Sequence, residues 1–584
     1  MTLYCNLATR MKKRLYSKIP LSQTIVALCE AKGIFHVVIS PGSRNAPLTI
    51  GFTENPNMKC YSIVDERCAA FFALGIAQQI KKPVALVCTS GSALLNYYPA
   101  ISEAFYSDVP LVILSADRPI ERIDIGDGQT IRQKNVFENH ILYSANLYSE
   151  IVPEIEVDDI KIKQKQHEAQ KHNEREINIA LNKAIEGNGP VHINVPFYEP
   201  LYDTIIKPTI VPKNIPVEYI EQRISNTLRS NMLMQWNASK RKLVLIGVNP
   251  PNSIEKEFID YLAKDPSVLI LTETTSNIHH ETHVNCIDQL ITSLSDDEFK
   301  ALQPDVLLTF GGMVVSKRIK AFLRNYQPKV HWHIDQKKAY DTYFCLTEHI
   351  KMHPNAFLSD FLPDTKIVDN EYKSFWIAKR NQRRIRHEKY LQEIDFSDLK
   401  AFEMMFDLIP NDQMIQLSNS STVRYAQLFS LNPSFKVYCN RGTSGIDGST
   451  STAIGAAVAS GIPTTLITGD LSFFYDSNGL WNDSIPSNFK IILINNSGGG
   501  IFRILPGKSE SHNFSTYFET KHSLTAEQLS TMFNFKYTTV QGKDELEQAI
   551  RNLYNENDKP QILEVFTPRK MNDGVLIDYF KHFV

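Results

Sequence analysis

The stretch GDLSFFYDSNGLWNDSIPSNFKIILINNSGGG, from Gly469 to Gly500, decides how the last part of this 584-residue chain folds. An apolar run at Thr464–Thr468 ends at a Gly-Asp pair. After a helix-length segment, a second apolar run at Lys490–Ile494 ends at two asparagines and three glycines. Two such runs joined through a helix predict neighbouring parallel strands. In an open parallel sheet, Asp470 and Asn496 then lie together at the carboxyl ends of the strands, where such folds bind ligands.

Asp470 and Asn496 offer two hard oxygen donors but too few ligands to complete a coordination shell. Such a set suits Mg²⁺, with Mn²⁺ as an alternative, because the ion takes its other ligands from waters and phosphate oxygens. The glycines that follow let the backbone approach a diphosphate closely and expose a carbonyl as a further ligand. An ordinary strand-end Asp and an Asn-Gly turn are the alternative interpretation.

A second group of alternating elements lies toward the other end of the chain. Strand-like runs at Tyr61–Val64, Pro83–Thr89 and Leu111–Ala116 alternate with helix-like segments, which is typical of βαβ units. Glu66 falls where the first run meets a helix of small and apolar residues. A lone glutamate there would most simply stabilise the helix N-terminus. Beside a diphosphate site in the same chain, a catalytic role for Glu66 is favoured.

Five segments together resemble the 2-succinyl-5-enolpyruvyl-6-hydroxy-3-cyclohexene-1-carboxylate synthase (SEPHCHC synthase) family, thiamin diphosphate enzymes of menaquinone biosynthesis. They are SPGSRNAPL (Ser40–Leu48), YSIVDER…SADRP (Tyr61–Pro119), GQTIRQ (Gly128–Gln133), NRGTSGIDGSTSTA (Asn440–Ala453) and GDLSFFYD…NNSGGGIFRILP (Gly469–Pro506). Other thiamin enzymes share the Glu and the Asp…Asn pair, whereas SPGSR and NRGTSGIDG narrow the match to this family. The resemblance is strong at both ends of the chain and weak across Glu199–Asp395.

The resemblance implies an α/β, three-domain thiamin diphosphate-binding fold, in which each domain is a mostly parallel sheet flanked by helices. A chain of 584 residues is too long for one core and agrees with three domains. We expect a pyrimidine-binding domain at residues 1–200, a central α/β domain without an assigned cofactor at 201–370, and a diphosphate-binding domain at 371–584. The strand-like runs of the central domain are Lys242–Val248, Val268–Thr272, Val306–Phe310 and Lys329–Ile334.

The resemblance also implies thiamin diphosphate and Mg²⁺ as cofactors. Glu66 would hydrogen-bond a pyrimidine nitrogen and so activate the cofactor, while Asp470, Asn496 and the carbonyl of Gly498 would hold the metal. Ile446 would lie beneath the cofactor and hold its two rings in a V, so that positioning supplies catalysis. The other implied cofactor contacts, and the apolar lid over the reacting centre, are Ser420, Gly469, Ile501, Phe502 and Leu505. On pattern alone, the apolar members of this set are equally well explained as core residues.

The family joins 2-oxoglutarate to isochorismate with loss of CO₂, and both substrates are dicarboxylates. A site for them needs fixed cations, and guanidinium matches carboxylate bidentately where ammonium does not. Arg44, Arg118 and Arg441 each follow an apolar run directly, inside a turn that contains Gly or Pro. Arg424 and Lys317 lie on helix-like segments, where an exposed helix face is the alternative.

No side chain is an obvious general base for the addition step. The resemblance therefore gives the polar contacts there to Gln129, Ser43 and the arginines, with Arg44 counted among the catalytic residues and Leu505 among the substrate contacts. Some relatives carry Asn before the glutamine, whereas this chain has Gly128. A side-chain contact from that position is missing here.

Composition excludes several other classes of function. A net charge of −2, with 22% charged residues, gives no global field that would recruit nucleic acid or a membrane. Eight cysteines without a CxxC pair indicate reduced, buried thiols in a cytoplasmic protein. The basic stretch Lys379–His387 is predicted to be a helix or linker, since aromatic interleaving is absent. The basic N-terminus lacks an apolar h-region, so it is not a secretory signal, and Met11 is an alternative start.

The resemblance further implies a homodimer or homotetramer with active sites between subunits. Two alternatives to this enzyme remain. One is another thiamin-dependent 2-oxoacid decarboxylase or carboligase, which would be favoured by a pocket poor in arginine. The other is a non-catalytic thiamin-fold binding protein, which the presence of Glu66, Asp470 and Asn496 argues against.

Overall fold

The computed structural model describes residues 14–149, 160–218, 223–504, 511–556 and 558–583. The sequence-based predictions for Leu505, Met11 and Cys5 therefore lie outside the described residues. The chain divides into two compact units, residues 1–219 (unit 1) and 220–584 (unit 2). Within the described ranges, no helix combines the length and the apolar character that a membrane span needs.

Unit 1 alternates strands and helices along the chain. Its strands are β1 (Tyr16–Ser17), β2 (His36–Ile39), β3 (Lys59–Ser62), β4 (Val84–Cys88), β5 (Leu111–Asp117), β6 (Ser144–Asn146), β7 (Val191–Pro196) and β8 (Thr204–Ile205). Its α-helices are α1 (Pro20–Ala31), α2 (Ala46–Thr53), α3 (Glu66–Ile80), α4 (Ser92–Asn96), α5 (Tyr98–Ser107) and α6 (Ile160–Gly187). Six strands form a parallel sheet in the order β3-β2-β4-β5-β7-β6, while β1 and β8 pair antiparallel. Strands β4, β5 and β7 are buried throughout, as expected where helices cover both faces of a parallel sheet.

Unit 2 contains two parallel sheets, and its first sheet is five-stranded. The strands are β9 (Lys242–Ile246), β10 (Val268–Thr272), β11 (Val306–Phe310), β12 (Val330–Ile334) and β13 (Glu348–Ile350), in the order β10-β9-β11-β12-β13. The accompanying helices are α7 (Asn226–Ala238), α8 (Lys256–Lys264), α9 (Ile287–Ile291), α10 (Asp296–Leu302), α11 (Lys317–Asn325), α12 (Pro354–Phe361) and α13 (Tyr372–Glu393). The predicted basic stretch lies within α13, where Arg383 is buried and donates to the Thr292 carbonyl at 3.0 Å.

The second sheet of unit 2 is six-stranded. Its strands are β14 (Met414–Leu417), β15 (Lys436–Cys439), β16 (Thr464–Gly469), β17 (Lys490–Asn495), β18 (Lys536–Val540) and β19 (Gln561–Phe566), in the order β15-β14-β16-β17-β19-β18. The helices are α14 (Asp398–Leu408), α15 (Ser421–Ala426), α16 (Ser449–Ser460), α17 (Asp470–Tyr475), α18 (Glu527–Met532), α19 (Lys543–Asn555) and α20 (Asn572–Lys581). Short 3₁₀ helices lie at Ser477–Leu480 and Gly500–Ile504.

The two six-stranded sheets have the same topology. When the strands of each sheet are counted in chain order, both read second, first, third, fourth, sixth, fifth. Three parallel sheets flanked by helices confirm the predicted fold class. The domain bounds at 200 and 370 stay predictions.

The predicted strands agree with the structure to within two residues at each end. The run Tyr61–Val64 is shifted at both ends: the strand is Lys59–Ser62, and Ile63–Asp65 lead into α3. The thiol prediction holds in part. The described cysteines form no disulfide: Cys29, Cys68, Cys88 and Cys439 are buried, while Cys60, Cys286 and Cys345 are half-buried.

Candidate active site

Asp470 lies at the edge of the six-stranded sheet in unit 2, where β16 and β17 end side by side. These strands are parallel neighbours, with Gly469 opposite Ile494, so Asp470 and Asn496 leave the sheet at the same edge. The Asp470 side chain is buried, and its carboxylate accepts from the backbone N–H of Leu471 at 2.6 Å and of Gly498 at 2.9 Å. The predicted carboxylate is thus joined directly to the glycine turn that follows β17.

The Asn496 carboxamide is held at only one of its two ends. Its Nδ2 donates to Asp398 Oδ2 at 2.9 Å, whereas its Oδ1 is buried without a hydrogen-bond partner among the described residues. Leaving a buried acceptor unpaired costs about 1–3 kcal/mol, so such an atom is suited to binding a water molecule or a cation. The orphaned oxygen therefore fits a metal ligand.

The glycine turn carries the predicted third donor, the Gly498 carbonyl, which accepts from Gly500 N at 2.9 Å. Gly498 has φ +143°, and a Cβ there would come within 2.6 Å of the Glu519 carbonyl oxygen, so the turn requires glycine. Within the described ranges, no cluster of three or more His, Cys, Asp or Glu side chains could hold a metal. The present set is of a different kind: one carboxylate, one carboxamide and a backbone carbonyl. All three are oxygen donors, and the set fits Mg²⁺.

Residues distant in sequence hold this donor set in place. His522 Nε2 lies 3.3 Å from Asp470 Oδ2, and His522 Nδ1 accepts from the backbone N–H of Leu524 at 3.1 Å. The buried Asp398 carboxyl also accepts from Thr567 Oγ1 at 2.5 Å. Burial raises the pKa of Asp398 to about 6, with the nearby Asp470 adding to the rise. Sequence reasoning missed Asp398 and His522, because no local pattern marks them.

A buried ion group anchors the segment that carries the predicted lid. Arg503 donates twice to the Glu519 carboxylate, at 2.6 and 2.7 Å, and Arg569 donates to the same group. The Glu519 carbonyl accepts from Gly499 N at 2.6 Å. Ile501 and Phe502 lie on the 3₁₀ helix between these contacts and are half-buried.

Asn419 organises the loops that follow β14 and β15. Its Nδ2 donates to the carbonyls of Asn440 and Gly445, each at 2.7 Å, and its Oδ1 accepts from Arg441 Nη1 at 2.7 Å. Ile446, next in the loop, keeps 37% of its surface exposed, which suits a residue that supports a ligand rather than filling a core. Asn419 was not predicted as a site residue, although a polar residue so soon after the end of strand β14 could have been identified from the sequence.

The Ser420 backbone is strained. It has φ +68° and ψ −123° in a non-glycine residue, a conformation that persists where the surroundings enforce it and is frequent at functional sites. Its carbonyl accepts from Arg424 Nη1 at 2.5 Å, one turn further along α15. Gly469, the last residue of β16, donates its N–H to Ser418 Oγ at 3.4 Å. The predicted cofactor contacts Ser420 and Gly469 therefore lie on neighbouring strand ends.

Two of the predicted substrate cations lie close together in unit 2. Burial, and then the charge of Arg441, lower the pKa of Arg424. The Nε of Arg441 is buried and has no hydrogen-bond partner among the described residues. An unpaired guanidinium donor of this kind is suited to a carboxylate.

Lys317 begins α11 and is exposed. The preceding residues Val315 and Ser316 donate their N–H groups to Glu273, at 2.7 and 2.8 Å. Burial raises the pKa of Glu273 to about 7, with Arg441 among the charges that oppose the rise. Glu273 was not predicted; it places a buried carboxyl of the five-stranded sheet near the cations of the six-stranded one.

The other predicted substrate residues lie in unit 1. Arg44, Arg118 and Gln129 line a cleft of about 470 Å³. Arg44 donates to the Phe197 carbonyl at 3.1 Å and to Glu199 at 3.0 Å. Arg118 donates to the Gln129 carbonyl at 2.8 Å, and this contact joins two of the predicted residues directly.

Gln129 is exposed in this cleft, and Ser43, which precedes Arg44 in the chain, is also exposed. Gln129 has φ +52° and packs so tightly on Gly91 that a Cβ at residue 91 would come within 3.0 Å of it. The buried Gln133 accepts from Gly91 N at 3.0 Å and donates to Asn194 at 2.8 Å. Gln133 thus secures the loop that presents Gln129, a supporting role that the sequence did not reveal.

Glu66 is the first residue of α3 in unit 1, as predicted. Asp65 caps the helix by accepting from Cys68 N at 3.2 Å. The helix is therefore capped without Glu66, whose half-buried carboxylate accepts from Asn96 Nδ2 at 3.3 Å. Glu66 belongs to unit 1, whereas Asp470 belongs to unit 2.

Comparison with protein families matches three models along the chain. Residues 19–144 match the thiamine pyrophosphate enzyme N-terminal TPP binding domain, and residues 213–414 match the middle domain of thiamine pyrophosphate enzymes. Residues 419–565 match the thiamine pyrophosphate enzyme C-terminal TPP binding domain. The two binding-domain models match most of the strands in the two sheets of identical topology, and β7 and β14 lie outside the matched ranges.

Curated relatives match over nearly the whole chain. A protein of Christiangramia forsetii is 62% identical over 570 residues, which are 97% of this chain and 99% of the relative. A protein of Flavobacterium johnsoniae is 55% identical over 97% of this chain and 99% of its own length. A protein of Porphyromonas gingivalis is 36% identical over 96% of both chains. Each of the three is named 2-succinyl-5-enolpyruvyl-6-hydroxy-3-cyclohexene-1-carboxylate synthase.

Proposed function

The chain belongs to the SEPHCHC synthase family, and from that premise we propose that it is a transferase that makes SEPHCHC in menaquinone biosynthesis. In finer detail, we propose that it decarboxylates 2-oxoglutarate and adds the resulting four-carbon unit to isochorismate. The observation that carries the proposal is the buried, unpartnered Asn496 oxygen beside Asp470, at the strand edge where the family places its cofactor diphosphate. Thiamin diphosphate, when bound, supplies the carbon nucleophile and accepts the electron pair released with CO₂.

Asp470, Asn496 and the Gly498 carbonyl are proposed to hold Mg²⁺, or alternatively Mn²⁺, and through it the diphosphate. The Gly498 N–H and Asp470 carboxylate already form one hydrogen-bonded unit, so this end of the site is pre-organised. Gly469 and Ser420 are proposed to contact the cofactor from the neighbouring strand ends. Ile446, Ile501 and Phe502 are proposed to support the rings and to exclude water from the reacting centre, which strengthens the electrostatic contacts there.

Glu66 is proposed to exchange a proton with the pyrimidine nitrogen of the cofactor. Two observations support this assignment. Asp65 already caps helix α3, so Glu66 is not needed for that purpose, and the contact with Asn96 Nδ2 directs the carboxylate.

The cations are proposed to bind the substrate carboxylates. Arg424 and Arg441, with Lys317, would bind one carboxylate in unit 2, and Arg44 and Arg118 would bind another beside Gln129 in unit 1. Bidentate guanidinium contacts fix orientation as well as charge. Ser43 and Gln129 would supply hydrogen bonds at the addition step, for which the sequence marks no obvious general base.

The working unit is proposed to be a cytoplasmic homodimer or homotetramer with active sites between subunits. Glu66 and Asp470 lie in different units of the chain, yet both have to contact one cofactor. A two-fold interface would generate two equivalent sites, each drawing one unit from each chain. The lack of disulfides among the described cysteines is consistent with a reducing compartment.

Product analysis tests the proposed function and its donor choice together. Purified protein is incubated with thiamin diphosphate, Mg²⁺, isochorismate and either 2-oxoglutarate or pyruvate, and the products are measured by mass spectrometry. We expect SEPHCHC from 2-oxoglutarate and at least about 100-fold slower turnover of pyruvate, because pyruvate leaves a buried guanidinium unpaired. Equal rates with the two oxoacids would contradict the dicarboxylate site.

A matched pair of variants makes this test specific. Arg424→Met should narrow the preference for 2-oxoglutarate over pyruvate, because it removes one buried cation. Arg384→Met removes a cation of the same type from the exposed face of α13, where Arg384 pairs with Glu388, and should leave the preference unchanged. An unchanged preference in Arg424→Met would remove Arg424 from the proposed site.

A further inference from the structure

Three hydrogen bonds hold Asp398 at the start of α14. Its side chain is 3% exposed, and one oxygen accepts from Asn496 Nδ2 at 2.9 Å. The other oxygen accepts from Thr567 Oγ1 at 2.5 Å, and the Asp398 backbone N–H donates to Asn572 Oδ1 at 2.8 Å. Thr567 in turn follows β19 and donates its N–H to the Asn495 carbonyl at 3.1 Å. The carboxylate therefore has little freedom to turn.

This contact determines which end of the Asn496 carboxamide faces the proposed cation. The two ends have opposite chemistry: the oxygen can ligate a cation, while the NH₂ group can only donate. An ionised carboxylate is acceptor-only, so it selects the NH₂ group and no other. Because Asp398 takes the nitrogen, the buried Oδ1 without a partner is the end left for the cation.

The preceding residue, Asn495, is also oriented by a buried carboxylate, but both ends of its carboxamide have hydrogen-bond partners. Asn495 Nδ2 donates to Glu564 Oε1 at 2.7 Å, and Asn495 Oδ1 accepts from Ser497 N at 3.1 Å. Glu564 is fully buried and also accepts from Ala526 N at 2.9 Å. Both asparagines are thus oriented by buried carboxylates, but only Asn496 keeps an oxygen that the described protein atoms do not use.

We infer that Asp398 is a positioning residue that orients the Asn496 carboxamide so that its oxygen ligates the divalent cation. The inference rests on the proposed function, which supplies the cation. Removing a residue that hydrogen-bonds to a metal ligand and orients it typically lowers metal affinity by about 10- to 100-fold. Asp398 acts through Asn496 and contacts neither the cofactor nor a substrate itself.

Calorimetric titration of Mg²⁺ into protein that is saturated with thiamin diphosphate tests the inference without an activity assay. For Asp398→Ala we expect a Kd for Mg²⁺ about 10- to 100-fold above that of the unsubstituted protein. Glu564→Ala is the matched control, since it truncates the carboxylate that orients the neighbouring asparagine; its Kd should stay within about 3-fold, whatever its thermal stability. A Kd for Asp398→Ala within about 3-fold of the unsubstituted protein overturns the inference.

An exchange of the two side chains keeps the test decisive even if Asp398→Ala fails to fold. Asn496→Asp alone sets two carboxylates against each other, whereas adding Asp398→Asn restores a hydrogen bond of reversed polarity. We expect the double variant to bind Mg²⁺ more tightly than Asn496→Asp, although removing a negative charge alone would weaken binding. Binding no tighter than in Asn496→Asp overturns the inference. Unsubstituted protein that takes up no Mg²⁺ would instead overturn the proposed function, and this inference with it.

Discussion

Glu66→Gln is expected to lower kcat by at least about 100-fold, because an amide cannot exchange a proton with the cofactor. The replacement has nearly the same shape, and its oxygen can still accept from Asn96 Nδ2, as Glu66 does at 3.3 Å. The Asp65 cap of α3 is untouched. Binding of thiamin diphosphate with Mg²⁺ should therefore stay close to that of the unsubstituted protein while turnover is lost.

The control for this change is Glu103→Gln, which makes the same replacement on α5 of the same unit. Glu103 is buried and accepts from Ser107 Oγ at 2.7 Å, so its loss tests stability rather than chemistry. Steady-state turnover and calorimetric cofactor binding should be measured for both variants. Turnover of Glu66→Gln at the unsubstituted rate would show that another group activates the cofactor.

Asp470→Ala should weaken Mg²⁺ binding by more than about 100-fold. This loss of affinity is larger than is usual when a residue that only hydrogen-bonds to a metal ligand is removed. The change removes a donor and its charge from a buried position. It also leaves the N–H groups of Leu471 and Gly498 without their acceptor, at about 1–3 kcal/mol each. Both activity and Mg²⁺-dependent cofactor binding should be lost together, in contrast to Glu66→Gln.

Asp483→Ala is the matched control for Asp470→Ala. Asp483 lies on the same segment between β16 and β17, but its side chain is exposed. Its replacement should leave the Mg²⁺ isotherm unchanged. Asp470→Ala protein that is folded by circular dichroism and still binds Mg²⁺ with unchanged affinity would place the metal elsewhere.

Strand ends were predictable because the pattern that marks them is local. An apolar run that stops at a Gly-Asp or Asn-Asn pair identifies both the strand and the residue that leaves it, and β16 and β17 follow that prediction. Arg118 and Arg441 were found in the same way, directly after β5 and shortly after β15. The shift of β3 to Lys59–Ser62 shows the limit, since the boundary between strand and loop there depends on packing.

The residues that contact these site residues and fix their orientation were not predictable, because they come from distant parts of the chain. Asp398, His522 and Glu519 contact the loops after β16 and β17 only once the sheet has formed. Glu273 is buried near Arg441 because two sheets of unit 2 pack together. Hydrophobic periodicity in the sequence does not predict such packing. Their side chains carry no pattern of their own, so only the folded chain identifies them.

Complementation between two inactive variants tests the central claim that Glu66 of one chain and Asp470 of another serve one cofactor. Glu66→Gln and Asp470→Ala subunits are mixed under conditions in which subunit exchange is shown independently, and product formation is measured. Random pairing should restore about a quarter of full activity, because half of the dimers are mixed and one of their two sites is intact. No recovery, despite demonstrated exchange, would mean that both residues of a site come from the same chain.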